Sequence, residues 1–137
     1  MNYLELLSKL IAFDTTSRNS NRALIDFIAA YLAKYGISSH LSLSSCQTKA
    51  NLVATLPAGD GSLVGGLVLS GHTDVVPVDG QNWSYPPFAL TTLDGKVYGR
   101  GTCDMKGFIA VVLSLVPELV KAKLAKPLHL AFSYDEE

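Results

Sequence analysis

GLVLSGHTDVVP, residues 66–77, is the stretch from which both fold and chemistry are read. Gly66 to Ser70 is a short apolar run of strand length without polar alternation. A strand buried on both faces of a sheet reads this way. His72 follows the run almost at once, and Asp74 stands two residues further on. In open α/β sheets the carboxyl ends of strands are where ligands bind. A metal-competent side chain therefore occupies the position where such a fold uses one. Taken alone, the same residues also describe a polar turn after a strand.

Working outward, the chain alternates helix and strand. Upstream, Leu4, Leu7, Leu10 and Ile11 recur at helical spacing, and Asp14-Thr15-Thr16-Ser17 breaks the pattern. Asn19-Ser20-Asn21 offers caps for a second helix with Leu24, Ile25, Ile28, Tyr31 and Leu32 as its buried face, and Gly36 ends it. Strands are expected over residues 37–44 and 51–56. Downstream, residues 75–92 form a long connection rich in Pro, Gly and aromatics. Asp94-Gly95 reads as a hairpin turn. Residues 105–121 read as a helix and 127–134 as a final strand. The expectation is an α/β domain with a mainly parallel or mixed sheet.

Composition limits what such a domain does. The 137 residues are 48% hydrophobic and 17% charged, which suffices for one packed core. Net charge is −1 and no basic stripe exists, so nothing points to nucleic acid. The most apolar run, residues 108–120, contains Pro117 and Glu118 and is too short to span a membrane. Cys46 and Cys103 form no CxxC pair or disulfide framework, as expected in a reducing cytoplasm. The first residues show no targeting pattern.

Two further clusters follow strand-like stretches. GRGTCDMKG, residues 99–107, places Asp104 where a loop feeds a helix. By itself Asp104 reads as an N-cap, a role compatible with metal binding. Lys106 reads as a solvated or outlying charge, and Cys103 as a small packing residue. SYDEE, residues 133–137, puts Asp135, Glu136 and Glu137 at a strand end. Adjacent carboxylates repel unless a cation intervenes. His72, Asp104 and Glu137 are spaced 32 and 33 residues apart, so one sheet edge can gather them. Imidazole with carboxylates suits zinc, and also cobalt or manganese. His40, at a polar strand end, and His129, in mid-strand, read as structural.

SGHTDVVP, GRGTCDMKG and SYDEE together resemble, in order and spacing, the motifs of the dinuclear zinc deacetylase, desuccinylase, aminoacylase and carboxypeptidase G family. DTTSRNSN (14–21), NWSYPPFALTTLDGKVYGRGTCDMKG (82–107) and KPLHLAFSYDEE (126–137) look most like its acetylornithine deacetylase branch. The resemblance implies a zinc aminopeptidase-like catalytic domain, its sheet sandwiched by helices. Residues 1–137 would be the amino-terminal part of that domain. The rest of it, and a smaller dimerisation domain, would lie elsewhere.

The resemblance also implies a reaction: metal-dependent removal of acetyl from N2-acetyl-L-ornithine to give L-ornithine and acetate, a step of arginine biosynthesis. Succinyl-diaminopimelate or another N-acyl amino acid is the alternative substrate. A non-catalytic binding or regulatory module with the same fold is the alternative of another class. Two zinc ions are implied, with His72 on one, Asp104 bridging and Glu137 on the second. Asp74 would orient His72 and Glu136 would be the general base. A cis peptide is implied at Asp104-Met105. The complete enzyme is expected to be a cytoplasmic homodimer acting on a small molecule, with no nucleic-acid or membrane partner. Two protein ligands per zinc fall short of the three typical of catalytic sites. The chain by itself is expected to bind zinc weakly and to turn over nothing.

Overall fold

A capping box starts the first helix, α1 (Tyr3–Ala12). The Asn2 side chain accepts from the Glu5 amide, and the Glu5 carboxylate accepts from the Asn2 amide, both at 2.9 Å. The computed structural model describes residues 1–137. Helix α1 buries Leu6, Leu7, Leu10 and Ile11, whereas Leu4, expected on this face, is exposed. Helix α2 (Arg22–Ala33) buries the five residues its periodicity nominates. It ends in a Schellman motif: Gly36 lies at φ +73°, Gly36 N–H donates to Ala33 O, and Ile37 N–H donates to Leu32 O. Asn21 stands at the N-cap of α2, yet its side chain makes no cap bond. The Ser20 hydroxyl accepts from Arg22 N–H instead.

Four strands form the main sheet: β1 (Ser39–Leu43), β2 (Ala50–Leu56), β3 (Leu67–His72) and β6 (Leu128–Ser133), in the order β1-β2-β6-β3. The β1/β2 and β2/β6 pairs are antiparallel and the β6/β3 pair is parallel. The sheet is thus mixed, the second of the two arrangements expected. Between β3 and the third helix lies a small hairpin, β4 (Thr91–Leu93) with β5 (Lys96–Tyr98). Asp94 and Gly95 at its tip both have positive φ, as a type I′ turn requires. Helix α3 (Lys106–Leu119) leads back to β6.

One face of the sheet carries Leu52, Ala54 and Leu56 of β2 with Leu128, Leu130 and Phe132 of β6, all buried against residues of α1, α2 and α3. Each of these leucines and the phenylalanine contributes about 1.5–3 kcal/mol by leaving water. The opposite face bears His40, Val53, Thr55, His129 and Val68, which are half-buried or exposed. The three helices of this chain therefore back a single face. Strand β3, expected to be buried on both faces, is instead an edge strand with Leu67 and Val68 exposed. Its free edge has no partner strand, so an apolar sequence that suits a sheet interior lies open.

Pro117 sits inside α3. A proline has no N–H, so the Leu113 carbonyl loses its ordinary helical donor. The buried Tyr31 hydroxyl of α2 donates to that carbonyl at 3.2 Å, tying the two helices together.

Candidate metal centre

Parallel pairing of β3 with β6 brings two strand ends to one edge. His72 and Ser133 are register partners there, and the Thr73 amide donates to Ser133 O at 2.8 Å. His72 closes β3, and Glu136 and Glu137 follow β6. Asp104 reaches the same edge from the loop before α3. The Asp104–Met105 peptide is cis, as the resemblance implied. Helix α3 is capped by Met105 rather than by Asp104, with no side-chain cap bond. The Asp104 carboxylate faces outward and is free to serve the site.

The imidazole of His72 is almost fully buried, and its two nitrogens have separate tasks. Nδ1 lies 3.0 Å from the Asp74 main-chain carbonyl, which fixes that nitrogen as a donor. Nε2 is turned toward carboxylates: Asp104 Oδ1 at 2.9 Å and Glu136 Oε2 at 3.8 Å. His72, Glu136 and Glu137 each place a ligand atom within 4.8 Å of the others. Burial opposes protonation of His72, but the Asp104 hydrogen bond, the Asp74 carbonyl and the charges of both aspartates outweigh it and raise its pKa. Partial burial, then the charge of Asp104, with further contributions from Glu136 and Asp74, hold the Glu137 carboxyl above its ordinary pKa against the pull of His72. Crowded carboxylates beside an oriented imidazole are a donor set that a divalent cation relieves, and the residues present fit one.

The Asp74 carboxylate lies beside His72 and holds other groups as well. Its Oδ1 is 3.4 Å from His72 Nδ1, farther than its own main-chain carbonyl. It is buried and accepts the Ser17 hydroxyl at 2.7 Å, Glu136 N–H at 3.2 Å and Glu137 N–H at 3.1 Å. Burial pushes its pKa up, and these bonds more than reverse that, leaving it lowered.

Several residues at this edge went unnoticed in the sequence. The segment after α1 docks beside β3: Thr16 bridges Val75, the Thr15 hydroxyl donates to Thr73 O at 2.6 Å, and Ser17 N–H donates to Val75 O. The Asn21 side chain, freed from capping, donates to Ala50 O and Thr73 Oγ1 and accepts from Ala50 N–H, each at 2.9 Å. Lys49 Nζ donates to Ser17 O at 2.5 Å and pairs with Asp135, whose backbone lies at φ +56°. The polar density of DTTSRNSN was the available signal, but it reads equally well as a helix break and cap.

Lys106 corrects an expectation. It is fully buried, not solvated, and Nζ donates to the Phe13 carbonyl at the end of α1. Burial pushes its pKa down to about 8 against the pull of Asp14. Cys103, expected to pack, is exposed. His40 is exposed, and His129 Nδ1 and Nε2 are held by the Thr55 hydroxyl and the Gly65 carbonyl, away from the site. No helix is long and apolar enough to cross a membrane.

The profile of peptidase family M20/M25/M40 matches residues 68–137, just over half of the chain. The chain is 43% identical to the acetylornithine deacetylase of Pasteurella multocida (strain Pm70) and 40% identical to that of Proteus mirabilis (strain HI4320). Each alignment covers 98% of this chain and 36% of the relative, so the chain spans about a third of their length. Among solved structures, an M20 family metallo-carboxypeptidase from Sulfolobus solfataricus shares the fold with a TM-score of 0.82. It is 20% identical, over 99% of this chain and 31% of that one. Human carnosine dipeptidase 1 gives 0.79 at 22% identity, over 96% and 31%. The motifs around His72, Asp104 and Glu137 all lie within the matched segment, and by that match the chain belongs to peptidase family M20/M25/M40.

Proposed function

We propose that this chain carries part of the metal centre of an amide hydrolase that releases acetate from N2-acetyl-L-ornithine. The observation that carries the reading is the meeting of Asp104, Glu136 and Glu137 at His72, whose Nε2 lies 2.9 Å from Asp104 and 3.8 Å from Glu136. The substrate rests on the 43% identity to the Pasteurella multocida protein. The chain is the amino-terminal part of a catalytic domain, with the remaining ligands supplied by sequence outside it.

His72 through Nε2, Asp104 and Glu137 would hold the divalent ions, and zinc suits this donor set. Bound zinc supplies Lewis acidity and lowers the pKa of water toward about 7. Glu136, adjacent to the ligand Glu137, is the general base. Its carboxylate takes a proton from the attacking water and delivers one to the departing amine nitrogen. Water is thereby added across the amide, giving acetate and L-ornithine. The Asp74 carbonyl holds the proton on Nδ1, so Nε2 would be the nitrogen available to a metal.

Zinc titration of the chain, followed calorimetrically beside His72→Ala and Asp104→Ala, tests this. Weak binding that falls in both variants supports the site. Binding unchanged in either variant overturns the assignment of that residue. No acetylornithine turnover is expected from the chain alone, because each ion would have two protein ligands rather than three. A complete protein that cleaves another N-acyl amino acid in preference would retain the centre and replace the substrate.

A further inference from the structure

Ser17 is bonded at this edge through its hydroxyl, its carbonyl and its amide. Its hydroxyl donates to Asp74 Oδ2 at 2.7 Å, its carbonyl accepts from Lys49 Nζ at 2.5 Å, and its amide donates to Val75 O at 3.2 Å. Asp74 Oδ2 also accepts the Glu137 amide, and Oδ1 accepts the Glu136 amide. Lys49 in turn pairs with Asp135, the residue just before those two amides, whose backbone is left-handed at φ +56°. Both ends of the Asp135–Glu137 turn are therefore fastened to Ser17, one through a carboxylate and one through an ammonium.

We propose that Ser17 is a positioning residue: through Asp74 and Lys49 it sets the backbone from which the Glu136 and Glu137 carboxylates reach the metal. The inference rests on the metal-centre reading above. A buried carboxylate needs its lone pairs filled, and hydrogen bonds to an ionised acceptor are the strong ones. With three donors Asp74 is locked, and its rigidity passes to the two amides it holds. Removal of the Ser17 hydroxyl leaves the Asp74 carboxylate held only by the two amides it positions, with His72 Nδ1 3.4 Å away as a competing partner. The carboxylates of Glu136 and Glu137 are themselves exposed, so little besides this backbone anchoring holds them in place.

Ser17→Ala and Ser17→Thr, compared with the unsubstituted chain, decide the matter through two readouts. The first needs no metal: amide proton and nitrogen resonances of Glu136 and Glu137 by NMR. The expected result is that both shift in Ser17→Ala more than amides elsewhere, and return toward their original positions in Ser17→Thr, which keeps the hydroxyl. The second is zinc affinity, expected to fall about 10–100-fold in Ser17→Ala, the usual effect of losing a group behind a ligand, and to recover in Ser17→Thr. Unmoved amides overturn the proposal even if the chain binds zinc well. Shifted amides with unchanged zinc affinity overturn the role in metal binding. Shifted amides in a chain that binds no zinc at all uphold the anchoring and bring down the metal-centre reading instead. Should Ser17→Ala fail to fold, Lys49→Met releases the other end of the turn and is read by the same two measurements, with the same results expected and the same results fatal.

Discussion

Tyr31→Phe isolates one hydrogen bond whose necessity follows from Pro117. Phenylalanine keeps the ring, including its edge contact with Tyr35 at a centroid distance of 5.2 Å, and removes only the hydroxyl. The loss leaves the Leu113 carbonyl without its cross-helix donor in a buried place, and Pro117 has none to offer. An unsatisfied buried acceptor costs about 1–3 kcal/mol, so the expected destabilisation is about 2 kcal/mol. For a chain of this size each kcal/mol shifts the melting temperature by about 3–5 °C. Pro117→Ala restores an N–H that reaches Leu113 O along the helix. In that background Tyr31→Phe should cost less than about 1 kcal/mol, because the carbonyl keeps a donor. The assay is a double-mutant cycle by urea denaturation, with circular dichroism and fluorescence tested for coincidence. Equal costs for Tyr31→Phe in the two backgrounds would refute the reasoning, since the bond would then owe nothing to the proline.

Two further expectations use other parts of the fold. Gly66 and Gly36 both have positive φ, but a Cβ at Gly66 would stand 1.9 Å from the Pro127 carbonyl oxygen, whereas one at Gly36 would meet nothing within 4 Å. Gly36→Ala should cost about 1–2 kcal/mol for backbone conformation alone, and Gly66→Ala clearly more; comparable denaturation midpoints would show that the β3 entry relaxes freely. The Cys46 thiol is lowered to about 7 by hydrogen bonds with Ser44 and Thr48. Its thiolate fraction therefore rises through neutral pH, and alkylation by iodoacetamide, followed by peptide mass spectrometry, should reach half its limiting rate near pH 7. A midpoint in the ordinary free-thiol range, about 8.5, or one unmoved by Ser44→Ala and Thr48→Ala together, would contradict that environment.

The order of helices and strands, the Asp94-Gly95 turn, the Gly36 stop, the buried face of α2 and most of that of α1 (Leu4 apart) were legible because each depends on periodicity or turn chemistry within a few residues. The metal-ligand candidates were legible as residue types after strands, and the resemblance of their motifs supplied the roles. Other features depend on which distant segments meet, and no local pattern carries that. The place of β3 at the sheet edge is a matter of pairing order, so an apolar run suited to an interior strand could not reveal its free side. Lys106 looks solvated in sequence, yet its ammonium is buried because the α1 end, 93 residues away, offers the Phe13 carbonyl. Asp74 looks like a partner for His72, two residues off, and its carbonyl does meet Nδ1, but its carboxylate also holds Ser17 and the amides of Glu136 and Glu137, which approach from 57, 62 and 63 residues away. The sequence by itself nominated candidate metal ligands by residue type and position. Only the tertiary structure decided what holds them, because a hydrogen-bond partner is chosen by distance in space, which chain separation does not encode.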